Sequence, residues 1–339
     1  MDKAQPTATP VRPLLTIAIP TFNRCQLLKQ LLDSLLVQIP DDGTVELFVS
    51  DNACTDETPA VVEEYRKKYP RLQHIRNQTN VGPDGNFLQC YERAAGKYVW
   101  IFSDDDLLCP GALRGILGHL AREEYDLVYL CSSGFVDSPR CRPVAAVPRA
   151  LVFTAASRFI RMVHIFTTLI SCNIINKERV ETIEHEPFSN LINSSLIQLG
   201  WTFAALRCHR KSLYITEELV CYRLGNTGGY GVCRVFGPTL KGVTEEWLGI
   251  PRLNDLIVNA SLQRLIPPCL FAANRNRHGN YLRENPHEVM REDFSGSLRY
   301  WIFDYPLIVL PTSLASIWFL LLRVFNRVDR AFGYPSLSW

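Results

Sequence analysis

The sequence predicts an α/β fold, a Rossmann-like and mostly parallel sheet flanked by helices, followed by a helical C-terminal region. Short apolar runs alternate with segments of helical leucine spacing from Leu14 onward. Polar clusters follow directly after several of these runs. From about Val235 the pattern becomes predominantly helical. Strands that alternate with helices favour a parallel sheet with helices on both faces.

The elements follow one another in a regular order. LLTIAIP reads as the first strand, and residues 23–38 carry leucines at helical spacing. VELFVSD is the second strand, and Thr55 or Asp56 is expected to cap the helix ETPAVVEEYRKKY. LQHIRN, a helix over residues 86–95 and the strand YVWIFSD come next. After Gly111 a helix leads to the strand DLVYLCSSGF.

Three regions are expected along the chain. Residues 1–11 are polar and proline-rich, without the apolar core of a secretory signal, and are predicted to be a disordered lead-in. Residues 12–234 form the α/β domain, and residues 235–339 form a helical region that is membrane-interfacial or oligomerising. The expected location is the cytoplasm, or the inner face of the plasma membrane.

Composition narrows the classes of partner. The 36 basic and 34 acidic residues give a net charge of +2, so nucleic acid is not an expected partner. The 47% hydrophobic content is enough for a sizeable core. Eleven cysteines occur without CxxC pairs, which favours reduced thiols and argues against a structural zinc site.

An acidic cluster, Asp104 to Asp106, follows the apolar run VWIF. Ligands of parallel α/β sheets bind at the carboxyl ends of the strands, where residues 20–23 and Asp51 also fall. Adjacent carboxylates repel one another, and a hard divalent cation such as Mg2+ or Mn2+ would relieve this repulsion. The alternative is that the aspartates cap the helix that follows.

Four motifs in order, TIAIPTFNR, VELFVSDNACTDET, NVGPDGNF and GKYVWIFSDDDLLCPGAL, resemble the nucleotide-sugar-binding half of family-2 glycosyltransferases with the GT-A fold. With the late YRLGNTGG they are similar to bacterial O-antigen transferases of the abequosyltransferase type. The resemblance implies a nucleotide-sugar donor and a saccharide acceptor carried on polyprenyl diphosphate. It also implies a role in surface polysaccharide synthesis.

The resemblance further implies roles for residues that follow the first two strands. Pro20, Thr21 and Phe22 match the family's base-binding loop, with the Phe22 ring stacked on the nucleobase. Asp51 matches the carboxylate that accepts a hydrogen bond from the base. For Phe22, packing into the core is the alternative.

Other matched positions concern the phosphates. Asn23 and Arg24 open the first helix, whose amino end favours negative charge, and they are expected to orient the phosphates. Asn80 lies in an N-x-G turn. Its main expected role is to hold that turn, and its second expected role is to contact the ligand. The arginine that usually follows this turn is missing, so Arg223 and Asn226, in a glycine-rich loop, are expected to close on the donor.

The metal signature fits the acidic cluster in two registers. A D-x-D-D pattern leaves Asp105 and Asp106 as the working pair, whereas a plain D-x-D selects Asp104 and Asp106. In either register the resemblance implies that Mn2+ or Mg2+ bridges to the diphosphate while a neighbouring carboxylate contacts the ribose.

Family-2 enzymes are generally inverting and need a carboxylate base. Where an acidic pair usually lies, this chain has Asn193, Ser194 and Ser195, which read as helix N-caps. Glu186 is the candidate base, with an ordinary loop charge as the alternative. The missing acidic pair motivates a second hypothesis, a catalytically silent nucleotide-sugar-binding or assembly protein. A nucleotidyltransferase ranks last, because PTFNRCQLL lacks a glycine-rich phosphate loop.

The run 306–322 contains no charge, is interrupted by Pro311 and precedes arginines at 323, 327 and 330. It is short for a transmembrane helix. An interfacial helix with Trp318 and Phe319 in the apolar layer is one expectation. A buried or oligomer-forming helix is the other.

Overall fold

The computed structural model describes residues 12–139, 141–225, 229–275 and 284–331. The lead-in, residues 1–11, lies outside this range. The strands are β1 (Leu15–Thr21), β2 (Val45–Asp51), β3 (Leu72–Arg76), β4 (Tyr98–Ile101), β5 (Leu107–Leu108), β6 (Leu127–Phe135), β7 (Ala150–Phe153), β8 (Asn173–Asn176) and β9 (Ser212–Arg223).

These strands form one nine-stranded sheet in the order β3-β2-β1-β4-β8-β6-β9-β5, with β7 paired to β9. The first four strands of that order are parallel. β8 runs antiparallel to β4 and β6, and β9 is parallel to β6 but antiparallel to β5 and β7. The predicted α/β class is confirmed, and the antiparallel pairs lie in the second half of the sheet.

Helices cover both faces of the sheet. The α-helices are α1 (Cys25–Leu36), α2 (Thr58–Lys68), α3 (Gly82–Arg93), α4 (Ala112–Arg122), α5 (Ala156–Val163), α6 (Lys177–Val180), α7 (Gln198–Arg207), α8 (Val232–Arg234), α9 (Leu240–Val243), α10 (Pro251–Ala260), α11 (Ile266–Arg275), α12 (Pro286–Phe294), α13 (Tyr305–Val309) and α14 (Thr312–Ala331). Single 3-10 turns are His164–Thr168, Ile170–Cys172 and Phe188–Leu191, and π-helical turns are Val235–Thr239, Thr244–Leu248, Ser261–Leu265 and Tyr300–Asp304.

The alternation of side chains along the strands creates two apolar layers. Ile17 and Ile19 of β1 are fully buried on one face, where leucines of α1 and α4 pack. Ala18, on the opposite face, belongs to a second cluster with α3, α5 and α7. This second cluster continues through Val235 and Leu240 as far as Ala260, so the helical region packs directly onto the sheet domain.

The C-terminal helices have a core of their own, which includes Leu262, Phe294 and Tyr300. One helical stretch, Pro251–Arg275, is long and apolar enough to cross a membrane by length and composition, but half of its most apolar window is buried inside the protein. The uncharged run 306–322 is not a single helix, because α13 ends at Val309 and α14 begins at Thr312, on either side of Pro311.

Candidate donor site

The carboxyl ends of β1, β2 and β4 meet at one edge of the sheet. Thr21, the last residue of β1, lies opposite Asp51, the last residue of β2, in the parallel register. β4 lies on the other side of β1, and the chain leaves it into the acidic cluster 104–106. The predicted convergence of these three segments is confirmed, and it falls at the point where the order of the parallel strands changes direction.

The three aspartates form an acidic loop that is folded into the protein. Asp104, Asp105 and Asp106 are only 3%, 8% and 8% exposed. Thr21 Oγ1 donates to Asp104 Oδ2 at 2.7 Å, and the side chain of Ser103 hydrogen-bonds to Asp105. The backbone N–H of Arg223 donates to Asp106 Oδ1 at 3.0 Å.

The acidic loop does not cap the following helix. α4 begins at Ala112, its N-cap residue is Gly111, and β5 lies between the loop and the helix. The alternative interpretation as an N-cap is therefore wrong. Gly111 has a φ of 81°, a left-handed conformation in which glycine has no steric penalty.

Burial makes the acidic loop electrostatically costly. Desolvation, opposed by the charge of Arg24, raises the pKa of Asp104 to about 6. Desolvation and repulsion from Asp105 raise the pKa of Asp106 to about 8. Carboxylates that are this close and this buried need protons or cations. A set of hard carboxylate oxygens at the end of a strand fits Mg2+ or Mn2+.

The guanidinium of Arg24 places a positive charge beside the acidic loop. Its Nη1 lies 3.2 Å from Asp104 Oδ1 and 3.5 Å from Asp105 Oδ2. The amino end of α1 is already occupied by a carboxylate of the chain, because Asp56 Oδ2 accepts from the N–H of Cys25 at 3.0 Å. Asp56 Oδ1 also accepts from the N–H of Thr58, at the start of α2.

Asp51 and Phe22 differ sharply in exposure. Asp51 is fully buried, and its Oδ1 accepts from the N–H of Cys54 at 2.7 Å. Its Oδ2 lies 3.2 Å from His74 Nε2 and 3.6 Å from Arg76 Nε. The Phe22 ring is 41% exposed, so it is not the core aromatic of the alternative interpretation.

Asn23 and Asn80 both hold turns. Asn23 has a φ of 53°, and its Oδ1 accepts from the N–H of Thr55 at 2.8 Å. Asn80 Oδ1 accepts from Asn52 Nδ2 and from the N–H of Gly82, both at 2.8 Å. These contacts agree with the structural role expected of the N-x-G turn.

Arg223 joins the end of β9 to the acidic loop. Its Nε donates to the backbone oxygen of Asp105 at 3.2 Å, and its Nη2 donates to Gln30 Oε1 at 2.7 Å. The guanidinium also lies 4.6 Å from the centre of the Phe135 ring. Asn226, predicted to act with Arg223, lies outside the described residues.

Glu186 lies in an exposed loop just before the turn Phe188–Leu191. Its backbone oxygen is 2.9 Å from Nδ1 of His185, whose ring stacks on Phe188. Within the described part of the chain, no hydrogen bond or ion pair connects Glu186 with the acidic loop.

The structure corrects the interpretation of residues 193–195 as helix N-caps. α7 begins at Gln198, and its N-cap residue is Ile197, without a side-chain hydrogen bond. Ser194 Oγ instead accepts from the N–H of Leu196, inside the loop. Asn193 and Ser195 have φ values of 73° and 60°, so the segment is a tight left-handed turn.

Sequence reasoning missed Asp84, in the first turn of α3. This carboxylate is 4% exposed, and its Oδ2 accepts from the N–H of Ser195 at 2.9 Å. Desolvation raises the pKa of Asp84, and the nearby backbone N–H groups of this turn oppose the rise. An aspartate inside the NVGPDGNF motif was the available signal, but its partner lies 111 residues away.

Comparisons with known proteins agree with this geometry. Residues 16–178 match the model of "Glycosyl transferase family 2". The chain is 39% identical over 119 residues to abequosyltransferase RfbV of Salmonella typhimurium, covering 35% of either chain. It is 36% identical over 118 residues to the GalNAc(5)-diNAcBac-PP-undecaprenol beta-1,3-glucosyltransferase of Campylobacter jejuni, covering 34% of this chain and 37% of that protein. The matched part thus spans about a third of these relatives.

Two solved structures share the fold. S. aureus TarS superposes with a TM-score of 0.55 at 20% identity, over 74% of this chain and 71% of that chain. The mannosyltransferase PcManGT of Pyrobaculum calidifontis, solved with GDP-Man and Mn2+, gives a TM-score of 0.54 at 18% identity, over 94% of this chain and 88% of that chain. Residues 16–178 therefore form a segment that matches the family-2 glycosyltransferases, and the chain has the GT-A fold.

Proposed function

We propose that this protein is an inverting, metal-dependent glycosyltransferase that moves a sugar from a nucleotide-sugar to a saccharide acceptor. The observation that carries the proposal is the buried acidic loop 104–106 at the edge where Thr21 and Asp51 end their strands. The setting of these groups is that of a diphosphate-binding site in an open α/β sheet.

In this proposal the nucleobase lies between Phe22 and Asp51. The exposed Phe22 ring offers a flat surface for stacking. The carboxylate of Asp51 is held by three protein groups, so a hydrogen bond from the base requires a geometry compatible with His74 and Arg76. Pro20 is a buried residue of β1, where its ring restricts the backbone just before Thr21.

Asp106, together with Asp104 or Asp105, would hold Mn2+ or Mg2+. When bound, the ion supplies Lewis-acid stabilisation of the charge that grows on the departing nucleoside diphosphate. Arg24 lies within 3.5 Å of two of these carboxylates and is 35% exposed, so it can turn toward a phosphate. Arg223 anchors the loop from the opposite side through Asp105 and Asp106.

The base that deprotonates the acceptor hydroxyl is assigned to Glu186. Glu186 is exposed to solvent, and so to an acceptor, whereas Asp84 is buried and already accepts the N–H of Ser195. A general base must reach the hydroxyl proton, directly or through one water. We expect Glu186→Gln to abolish transfer and to leave nucleotide binding unchanged.

The acceptor is proposed to be lipid-linked and the protein to work at the inner face of the plasma membrane. α14 presents an exposed apolar stripe made of Leu314, Ile317, Leu321, Val324 and Phe325. Exposed arginines at 323 and 327 flank this stripe and suit anionic headgroups.

The residues of this stripe differ from those expected. Trp318 Nε1 donates to the backbone oxygen of Ile302 at 2.9 Å. Phe319 stacks on Phe271 at 4.2 Å. Both rings therefore pack against the protein. The exposed side chains of the apolar stripe are the groups available to a lipid surface. A contact between copies of the chain through the same stripe is the alternative.

Calorimetric titration tests the donor site. UDP, GDP, CDP and dTDP are titrated into the full chain with and without Mn2+, in the wild type, in Asp106→Ala and in the control Asp41→Ala, which removes an exposed acid elsewhere. We expect one nucleotide to bind, at least about tenfold more weakly without Mn2+ or Asp106. Failure of all four nucleotides to bind would contradict the proposal. Tight binding without sugar transfer to any acceptor would favour the catalytically silent binding protein.

A further inference from the structure

Three cysteine thiols converge beside the acidic loop. Cys109 follows β5, Cys221 lies on β9, and Cys141 lies in the loop between β6 and β7. Cys109 Sγ is 3.8 Å from Cys221 Sγ, and Cys141 Sγ is 2.8 Å from Cys221 Sγ. All three sulfur atoms lie within 4.8 Å of one another. The spacing along the chain gave no sign of this cluster, because its members are 32 to 112 residues apart.

Two of the thiols are held rigidly by the sheet. Leu107 pairs with Cys221, and Leu108 pairs with Val220. The N–H of Cys109 donates to the backbone oxygen of Leu219 at 2.9 Å. Cys109 and Cys221 are both 1% exposed, so their sulfur atoms face each other in an interior that excludes bulk water.

The distance between these two sulfur atoms fits a shared metal ion. A tetrahedral centre with metal–sulfur bonds of about 2.3 Å separates its sulfur ligands by about 3.8 Å. The Cys109–Cys221 distance has this value without any movement. Cys141 has to move away from Cys221 by about 1 Å to match it, and it lies on an irregular loop rather than in a strand.

We propose that Cys109, Cys141 and Cys221 form a binding site for a thiophilic divalent cation of the Zn2+ class. Thiolates select such ions, whereas the carboxylates of the acidic loop select hard cations, so the two sites do not compete for the same metal. The thiol protons pass to solvent as the ion binds. The proposal departs from the expectation, drawn from the absence of CxxC pairs, that the chain has no structural zinc site.

An open cavity of about 1300 Å³, which Ser133, Arg142 and Glu218 help to line, lies beside the cluster. Ser133 Oγ lies 3.8 Å from Cys221 Sγ. A water molecule held from this side completes a tetrahedron of three protein ligands and one solvent ligand. The ion would join β5, β9 and the segment that carries Cys141, in addition to hydrogen bonds such as that from the N–H of Val144 to the backbone oxygen of Pro110 at 2.9 Å.

Such a cross-link acts on the donor site through the backbone. Cys109 follows Asp106 by three positions, and Cys221 precedes Arg223 by two. The N–H of Arg223 donates to Asp106 Oδ1. An ion on the three thiols therefore holds both flanks of the acidic loop in place, as a structural metal does.

Metal binding by the full chain tests the site. The protein is reduced with a phosphine, stripped of metal and loaded with Zn2+ or, as a spectroscopic probe, Co2+. We expect one Zn2+ per chain to remain after gel filtration, a rise in Tm and a thiolate-to-Co2+ charge-transfer band. In Cys141→Ser, whose change lies in a loop, the affinity for Zn2+ should fall on the order of 100-fold.

Two controls keep the outcomes separate. Cys208→Ser, which removes a half-buried thiol elsewhere, should retain the band. Asp106→Ala should also retain it, so a failure of the proposed donor site does not affect this result. Absence of the band from folded, reduced protein, or an unchanged affinity for Zn2+ in Cys141→Ser, would overturn the proposal. A disulfide between Cys141 and Cys221 in protein that retains no metal would overturn it as well.

Discussion

Thr21 at the end of β1 donates its hydroxyl hydrogen to Asp104 at 2.7 Å and so joins two segments that are 83 residues apart. Both side chains are buried, at 3% exposure each. The bond closes the edge of the sheet between the loop expected to bind the nucleobase and the loop expected to bind the metal. Its loss should therefore affect both stability and the position of the carboxylate.

Thr21→Val tests this bond, because valine keeps the shape of threonine and removes the donor. A buried carboxylate oxygen without its partner costs about 1–3 kcal/mol. We expect the free energy of unfolding in urea to fall by that amount. Thr21→Ser, which keeps the hydroxyl, should lose clearly less. Equal losses in both variants would show that the hydrogen bond does not stabilise the fold.

Asp84 is expected to hold the turn 193–197. Its carboxylate accepts the N–H of Ser195 in that turn, although burial raises its pKa. Hydrogen bonds to a charged acceptor contribute about 1.5–3 kcal/mol. Asp84→Ala should therefore lower the unfolding free energy by at least about 2 kcal/mol. Amide hydrogen exchange should rise first in residues 193–197, and exchange that rises uniformly over the whole chain would contradict a local role.

His164 makes the stability depend on pH. Both ring nitrogens are buried, and neither has a hydrogen-bond partner among the described residues. Burial and the charge of Arg264 lower the pKa of His164 from 6.5 to about 3. Between these values the unfolded chain binds a proton that the folded chain refuses, so stability falls as the pH decreases from about 6.5 toward 3.

The His164 contribution can be isolated with a variant. His164→Asn removes the titrating ring and keeps a short polar side chain at this position, where φ is 40° and ψ is −122°. Between pH 7 and pH 5, the wild type should lose about 2 kcal/mol more than His164→Asn, measured by urea unfolding at each pH. His185→Asn, at a half-exposed histidine, should follow the wild type. Parallel curves for the wild type and His164→Asn would remove His164 as the cause.

The apolar stripe of α14 predicts binding to anionic membranes. Replacing Ile317 and Leu321, which are 60% and 55% exposed, with aspartate should reduce co-sedimentation with phosphatidylglycerol vesicles at least about tenfold. Val37→Asp, at an apolar side chain that is 74% exposed at the end of α1, is the control. Unchanged vesicle binding together with a smaller particle size would instead assign the stripe to contacts between copies.

The sequence by itself determined much of the first half of the protein. Local periodicity located β1, α1, β2 and β4, because the core face of each element repeats within a few residues. Since parallel strands end at a common edge, the strand pattern also placed Thr21, Asp51 and the acidic loop together. These inferences need no information about distant partners.

Tertiary structure alone decided which side chains meet across long sequence separations. Arg24 turns to Asp104, Asp84 holds Ser195, and Cys109 faces Cys221. The two residues of each pair are at least 80 positions apart, so no local periodicity or spacing in the sequence predicts their contact. The same holds for α14, where packing of Phe319 onto Phe271 decided which face of an amphipathic helix remains exposed. Local propensity selects an element, whereas the contacts made when the elements pack select its partners.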